Sequence, residues 1–190
     1  MHVLSSDSSE ILNAEPDFPV FRLNRPIDLA QDDSPTLPAL QHAVFCAEYG
    51  TGITFDYIIE LRVTSPLRTT QDIDTALELL VKSDADSVIS VCEDQAHHPA
   101  RMKWLDNSWI RSFQPEPANG QRHLLLPKAY IRNGAIYAFP RKTIMGPEPK
   151  LFNHDHSLAY IMPKERSVNI DTYIDLLLAE TIMKRDNKCE

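Results

Sequence analysis

Between residues 55 and 91 the chain shows strand, helix and strand patterns in turn, at a spacing that few folds can accommodate. Residues 55–61 are a β-rich apolar run bounded by turn residues, which predicts a buried strand. Residues 70–82 follow with helical spacing, Thr70 as the cap, and a buried face of Ile73, Ala76, Leu77 and Leu80. Residues 86–91 form the next predicted strand. A βαβ unit of this kind predicts a largely parallel sheet.

The segments on either side extend this pattern. Further strands are predicted at residues 2–4, 19–21, 130–139 and 159–162, and further helices at residues 39–49 and 171–184. The last helix is expected to turn an apolar face inward, made of Ile174, Leu177, Leu178 and Ile182. Residues 97–127 break the rhythm with two short strand patterns around an Asp106-Asn107 turn, which predicts a β-hairpin arm. Together these elements predict a three-layer α/β fold.

Composition excludes several classes of protein. A length of 190 residues predicts a single domain over 1–190, and the net charge of −8 argues against general binding to nucleic acid or anionic membranes. No apolar run approaches the roughly 20 residues of a membrane span, and the N-terminus does not read as a secretory signal. The three cysteines are too far apart for a CxxC pair. We therefore expect a soluble, cytoplasmic protein.

The common nucleotide and hydrolase motifs are absent from the sequence. It contains no GxxxxGK[ST] phosphate loop, no GxGxxG fingerprint and no GxSxG elbow. The tract His154-Asp155-His156 reads as a solvated loop rather than a transition-metal site, because no further ligand follows nearby.

Polar clusters instead follow several of the predicted strands. They are Ser5-Ser6-Asp7, the run from Arg62 to Arg68, and the segment ending in Asn169-Ile170-Asp171. Each alone reads most simply as a helix cap or a turn. Ligands of an open parallel sheet gather beyond the carboxyl ends of its strands, so their shared position favours a binding site. Asn169 and Asp171 carry oxygen atoms of the kind that Mg²⁺ accepts.

Taken in order, these motifs resemble the acylneuraminate cytidylyltransferases, the CMP-sialic acid synthetases. The markers begin with Leu4-Ser5-Ser6-Asp7 and Arg25-Pro26, and continue with Thr64-Ser65-Pro66-Leu67-Arg68 and Asn133-Gly134-Ala135-Ile136-Tyr137. The series closes with Asn169-Ile170-Asp171, Asp175 and Ala179-Glu180. The resemblance runs over nearly the whole chain and implies a nucleotide-diphospho-sugar transferase fold, which is Rossmann-like.

The resemblance implies a reaction. Members of the family use CTP and Mg²⁺ to convert an acidic α-keto sugar into its CMP-glycoside and release pyrophosphate, and catalysis is mostly positioning and charge neutralisation. They are typically homodimers, in which the arm matching residues 97–127 reaches the partner subunit. N-acetylneuraminate is the first candidate sugar, with Kdo, pseudaminic acid and legionaminic acid as alternatives.

Site residues carry over by position. Asp171 matches the principal metal-binding aspartate, and Asn169 stands where many members have a second one. Arg62 replaces a glutamine that commonly holds the sugar, and its cation suits the sugar carboxylate. The nucleotide is expected at Ser5, Asp7, Arg25 and Thr36. The positions that match the sugar pocket or its supports are Thr64, Ser65, Arg101, Asn133, Tyr137 and Phe152.

The chain departs from the family at its start. Members begin with a strand and a Gly/Ser/Lys/Arg-rich loop around the triphosphate, and this sequence opens at what corresponds to the second strand. Two readings follow: a start further upstream, or a truncated relative with impaired triphosphate binding. The latter leaves a non-catalytic sugar- or nucleotide-binding subunit as an alternative to the enzyme. An unrelated nucleotide-binding α/β protein is a third reading, which the order of the motifs disfavours.

Overall fold

The computed structural model describes residues 1–14, 18–118, 127–153 and 155–186, and within them it shows a mixed α/β fold. The strands are β1 (His2–Ser6), β2 (Val20–Asn24), β3 (Tyr57–Glu60), β4 (Ser87–Glu93), β5 (Lys103–Asp106), β6 (Trp109–Ser112), β7 (Tyr130–Pro140) and β8 (Ser157–Ile161). The α-helices are α1 (Ser9–Leu12), α2 (Thr36–Thr51), α3 (Thr70–Val81), α4 (Arg141–Met145) and α5 (Tyr173–Asp186). Short 3₁₀ helices lie at Ile27–Leu29 and Lys164–Arg166.

The strands form a mostly parallel arrangement in which β7 is reversed. β1 and β2 pair in parallel, and the four-stranded sheet has the order β3-β7-β4-β8. Backbone bonds from Asp86 to His156 and from Met162 to Val91 run in step along β4 and β8, as parallel strands require. The Asp94 amide instead bonds Ala129 at the start of β7, so β7 runs against β4. The predicted parallel sheet is confirmed, with one antiparallel member.

The chain divides into two compact units. The first comprises residues 1–60, 83–87 and 138–157, and the second comprises residues 61–82, 88–137 and 158–190. In the first unit α1 and α2 contact β1 and β2, and α2 also contacts α4. The expectation of a single domain over 1–190 stays a prediction.

An ion pair joins two parts of the first unit. Arg141 at the start of α4 donates from Nε and a terminal nitrogen to both carboxylate oxygens of Glu48 in α2, at 2.7 and 2.8 Å. Glu48 also accepts from the Phe55 amide. The hydrogen bonds from Arg141 lower the pKa of this carboxyl and outweigh the opposing effect of burial.

The core of the second half of the chain is centred on β7. Residues 135–139 are all 3% exposed or less, so this strand is covered on both faces. Ala76 and Leu80 of α3 are buried, as the helical spacing predicts, while Ile73 and Leu77 are half-buried. β7 therefore acts as the central strand from which the neighbouring loops take their positions.

Two details of the sequence expectations were wrong. Thr69, not Thr70, caps α3, because its hydroxyl accepts from the Asp72 amide while the Asp72 carboxylate accepts from the Thr69 amide. On α5, Ile174, Leu177 and Leu178 are 75%, 44% and 49% exposed rather than inward, and Ile182 is half-buried. Ala179 is the buried residue among the described side chains of that helix. Apolar periodicity identifies a face, but it does not supply the element that covers it.

The predicted hairpin is present. β5 and β6 pair antiparallel, with Asp106 opposite Trp109, and Asn107 takes the left-handed conformation (φ 54°) that the tight turn needs. No helix in the described part of the chain is both long and apolar enough to cross a membrane.

Candidate functional site

Three segments of the second unit meet: two loops and part of β7. They are the turn after β3 (residues 62–68), the middle of β7 (residues 133–137) and the segment before α5 (residues 163–172). Seven of the predicted site residues form one connected group there, which we call the polar cluster: Arg62, Thr64, Ser65, Asn133, Tyr137, Asn169 and Asp171. Because β7 runs against β4, its first half lies beside the carboxyl half of β4. The cluster therefore occupies the edge at which ligands of such sheets bind.

Ser65 joins the three segments. Its side chain is fully buried, and its hydroxyl lies 3.0 Å from the Asn133 carbonyl oxygen and 3.3 Å from Asn169 Oδ1. A second tie runs alongside, where the Ile170 amide donates to the Thr64 carbonyl at 2.7 Å. The segment that carries Asn169 and Asp171 is thus attached directly to the turn after β3.

Gly134 allows this close approach. It has a φ of +75°, and a Cβ atom there would lie 3.2 Å from Ser65 Oγ, 3.6 Å from Asn169 Oδ1 and 3.8 Å from the Cδ of Arg62. A positive φ is strained for residues other than glycine, and the first of these distances is tighter than ordinary contact. Both the backbone conformation and the short distance to Ser65 therefore favour glycine at position 134.

Asn133 links the cluster to β4 and to the residues that follow β8. It is 4% exposed, and its amide nitrogen donates to Ser167 Oγ at 2.8 Å and lies 3.2 Å from the Met162 sulfur. Its side-chain oxygen accepts from Ser90 Oγ at 2.6 Å and from the Ala135 amide. A buried amide with this many protein partners holds the cluster in place and is not free to bind a ligand.

Arg62 is the exposed cation of the cluster. Its guanidinium carbon lies 4.9 Å from the centre of the Tyr137 ring, a cation–π distance, and Tyr137 is only 3% exposed. Arg68 stabilises the same turn by donating to the carbonyls of Arg62 and Ser65 at 2.7 and 2.6 Å. Burial lowers the pKa of Arg68. A positive charge is thus held beside an aromatic face.

Asp171 supplies the carboxylate of the cluster. It is exposed, and its Oδ2 accepts from the Asn169 amide nitrogen at 2.6 Å. Asp175 has a different task, because its carboxylate accepts from the Thr172 hydroxyl and amide and so caps α5. The hydroxyl of Thr172, followed by its amide, lowers the pKa of Asp175. Unlike Asp175, Asp171 therefore has an exposed carboxylate that does not cap α5.

These donors fit Mg²⁺ that arrives with a nucleotide. Magnesium is bound through one or two carboxylates, with substrate phosphates and water as the other ligands. Within the described ranges no group of three or more His, Cys, Asp or Glu residues is placed to hold a metal ion by itself. In the present amide orientation Asn169 turns its nitrogen toward Asp171, so its oxygen would ligate only after a half-turn of the amide. Metal binding by Asp171 and Asn169 stays a prediction.

The other predicted residues lie elsewhere. In the first unit, Arg25 donates to the Ser5 hydroxyl at 3.2 Å and to the Ser5 carbonyl at 2.6 Å. Asp7 is exposed one residue beyond β1, Thr36 begins α2, and Phe152 is half-buried. In the second unit, Arg101 is exposed just before β5. The roles of these residues stay predictions. His154 of the His-rich tract lies outside the described residues, and His156 lies 3.7 Å from Asp86.

Sequence reasoning missed a buried charge next to the cluster. Asp72 in the first turn of α3 is 1% exposed and binds Arg166 and Tyr160 as well as Thr69. Burial opposes ionisation, but the hydrogen bonds from Arg166, Thr69 and Tyr160 outweigh it and hold the pKa of this carboxyl well below its usual range. The Thr-x-x-Asp pattern at residues 69–72 signalled a capping box, but not the distant arginine.

Comparison with solved structures finds a similar fold. No family model matches the sequence. A solved CMP:2-keto-3-deoxy-manno-octonic acid synthetase, determined as a complex with CTP, superposes with a TM-score of 0.61 over 97% of this chain and 80% of its own. The sequence identity is 15%, so this likeness concerns the fold.

Sequence relatives identify the family. An N-acylneuraminate cytidylyltransferase of Escherichia coli O18:K1:H7 is 30% identical over 87% of this chain, and one of Streptococcus agalactiae serotype V is 32% identical over 62%. The Campylobacter coli post-translational flagellin modification protein B is 26% identical over 97%. The chain is thus related to the acylneuraminate cytidylyltransferase family, which confirms the resemblance. The matches span 38%, 28% and 77% of these relatives' own lengths, respectively.

Replacing Gly134 tests the packing of the cluster. Gly134→Ala is expected to lower the free energy of unfolding by about 1–3 kcal/mol, because it adds left-handed strain and crowds Ser65. Gly52→Ala is the matched control, since Gly52 has a φ of +70° with nothing within 4 Å of its added Cβ. Urea unfolding measures both variants. An equal loss in both would show that crowding at Ser65 contributes nothing.

Proposed function

We propose that this chain carries out the reaction of a cytidylyltransferase. It would transfer CMP from CTP to the anomeric hydroxyl of an acidic α-keto sugar and release pyrophosphate. The observation that carries the proposal is the juxtaposition of Arg62, stacked on Tyr137, with the exposed carboxylate of Asp171 in one cluster. The relation to N-acylneuraminate cytidylyltransferases supports it further.

Each part of the cluster suits one charge in that reaction. The Arg62 guanidinium is placed to bind the sugar carboxylate, and the Tyr137 ring limits the directions in which it can point. Asp171 would hold the Mg²⁺ that accompanies the triphosphate, with Asn169 beside it. When bound, Mg²⁺ would neutralise part of the negative charge on the phosphates as pyrophosphate leaves. Ser5, Asp7, Arg25 and Thr36 are the proposed contacts to the nucleotide. The net charge of −8 is no obstacle, because local cations decide the binding of an anion.

The sugar is proposed at the level of its class. N-acetylneuraminate is the first candidate, and the alternatives are Kdo, pseudaminic acid and legionaminic acid. The name of the Campylobacter coli relative refers to flagellin modification and the fold neighbour is a Kdo-type synthetase, so a substrate panel should span all four acids. A cytoplasmic location stays a prediction.

A non-catalytic binding subunit is the second candidate. The amide at Asn169, where many family members have a carboxylate, favours it because it removes a negative charge from the metal ligands. Calorimetric titration of the full chain with CTP, with and without Mg²⁺, followed by turnover on the four acids, separates the two functions. Magnesium-enhanced binding with turnover supports the enzyme, and binding without turnover on any acid supports the subunit.

The Asp171 assignment predicts a specific loss. Asp171→Asn keeps the shape of the side chain but removes its charge, so turnover and magnesium-enhanced CTP binding should fall by about 100-fold. Glu165→Gln is the matched control, because it removes an exposed carboxylate from the same segment. Undiminished magnesium dependence in Asp171→Asn would exclude Asp171 as the metal ligand.

The Arg62 assignment predicts an effect on the sugar alone. In Arg62→Met, which keeps an aliphatic stem but has no donor, the KM for the acidic sugar should rise by about 10- to 100-fold through loss of a charge-assisted hydrogen bond, with CTP affinity unchanged. Arg62→Lys, which keeps the charge, should lose less. Steady-state kinetics with each substrate varied in turn provides the measurement. An unchanged sugar KM in the methionine variant contradicts the assignment.

We also propose that the β5–β6 hairpin is a homodimer contact. Each of its faces carries two exposed apolar side chains: Leu105 and Ile110, paired across the strands, are 71% and 69% exposed, and Trp104 and Trp109 on the opposite face are 47% and 72% exposed. A two-stranded hairpin is marginally stable by itself in water. A second copy of the chain would stabilise the hairpin by covering its apolar faces.

Disrupting one face of the hairpin tests this contact. Ile110→Asp is expected to raise the dimer dissociation constant by at least about tenfold, because a desolvated carboxylate opposes association. Tyr49→Asp is the control, since Tyr49 is an exposed aromatic residue on α2 in the first unit. Sedimentation velocity over a range of concentrations measures both. A wild-type chain that stays monomeric contradicts the proposal.

A further inference from the structure

The Asp72 carboxylate accepts far more hydrogen bonds than a helix cap requires. Its Oδ2 accepts from the amide and hydroxyl of Thr69, both at 2.8 Å, and from Arg166 Nε at 3.0 Å. Its Oδ1 accepts from a terminal nitrogen of Arg166 at 2.7 Å and from the Tyr160 hydroxyl at 2.8 Å. Thr69 alone would complete the capping box. The two remaining partners lie near the other end of the sequence, in β8 and just beyond it.

Arg166 stands at the start of the segment that carries the predicted metal ligands. It ends the 3₁₀ helix Lys164–Arg166 and precedes Asp171 by five residues. Between them, Ser167 Oγ accepts from the Asn133 amide nitrogen and donates to the Pro163 carbonyl, both at 2.8 Å. The Ile170 amide then donates to the Thr64 carbonyl. A chain of five residues fixed at these points has little freedom to move Asp171.

The geometry of the Asp72–Arg166 ion pair suits a role in orienting the attached segment better than a role in stabilising the fold. A buried ion pair adds little to stability compared with apolar residues of similar size, because burying the charges costs about as much as their attraction returns. An arginine fork bound to both oxygens of one carboxylate does fix distance and angle together. The Asp72 side chain is 1% exposed and that of Arg166 is 35% exposed, so the anchor is rigid on the α3 side.

We propose that the Asp72–Arg166 ion pair positions the segment 166–172, and through it the carboxylate of Asp171, against the turn after β3. Asp72 and Arg166 are positioning residues, and neither needs to touch a substrate. The consequence for catalysis rests on the proposed function. The structural consequence, a segment whose first residue is fixed by this ion pair, does not.

The test uses full-length variants at Arg166. Arg166→Met removes the charge but keeps an aliphatic stem, and Arg166→Lys keeps the charge but loses the fork. Arg141→Met is the matched control, because it breaks the equally close two-bond pair between Arg141 and Glu48 in the first unit. Two quantities are measured: amide hydrogen exchange across residues 163–172 by mass spectrometry, and the Mg²⁺ concentration that half-saturates CTP binding by calorimetry.

Both Arg166 variants are expected to accelerate exchange across residues 167–172 by about tenfold or more, since local opening becomes easier. The half-saturating Mg²⁺ concentration should rise by about fivefold or more, with less change in the affinity for CTP alone. Arg141→Met should leave both quantities as in the wild type. The lysine variant still compensates the buried Asp72 charge, so it remains informative if the methionine variant does not fold.

The outcomes separate this inference from the proposed function. Unchanged exchange across residues 167–172 in a folded Arg166 variant overturns the positioning role. A wild-type chain that binds no CTP at any Mg²⁺ concentration overturns the nucleotide function, and the exchange data then decide the positioning role by themselves. Faster exchange with an unchanged magnesium requirement would refute the link to Asp171.

Discussion

The arrangement of the polar cluster depends on satisfying one buried amide. Asn133 lies in β7 just before five residues that are almost fully buried, so none of its polar atoms can rely on water. Its partners come from β4, from the end of β8 and from the segment before α5. Each of these bonds fixes a backbone segment relative to β7. The site is therefore built onto the core strand rather than added to its surface.

The reversal of β7 explains why one strand serves both core and site. Because it runs against β4, its first residues lie beside the carboxyl end of β4. Gly134 then lets the neighbouring segments approach to distances that any side chain would obstruct. Core packing begins one residue later, at Ala135. Positioning and packing are thus assigned to consecutive residues of the same strand.

Much of this organisation could be read from the sequence, because it depends on local signals. The βαβ spacing, the Asp106-Asn107 turn and the order of the motifs correctly predicted the sheet, the hairpin and the family. The distant contacts could not be read in this way. Asp72 carries a capping signal that is complete within four residues, and nothing local indicates Arg166. The exposed face of α5 was misjudged for a related reason, since periodicity does not reveal which surfaces are covered.

The hydroxyl of Ser65 has a consequence for how the cluster can rearrange. A hydroxyl group has one proton, and here two oxygens, the Asn133 carbonyl and Asn169 Oδ1, lie within reach of it. At any instant it can donate to only one of them, so the two segments compete for a single proton. If the amide of Asn169 makes a half-turn, its nitrogen becomes a donor to Ser65 Oγ, and the competition ends. The same half-turn brings the amide oxygen to the side of Asp171, which places two oxygen ligands together without any movement of the backbone.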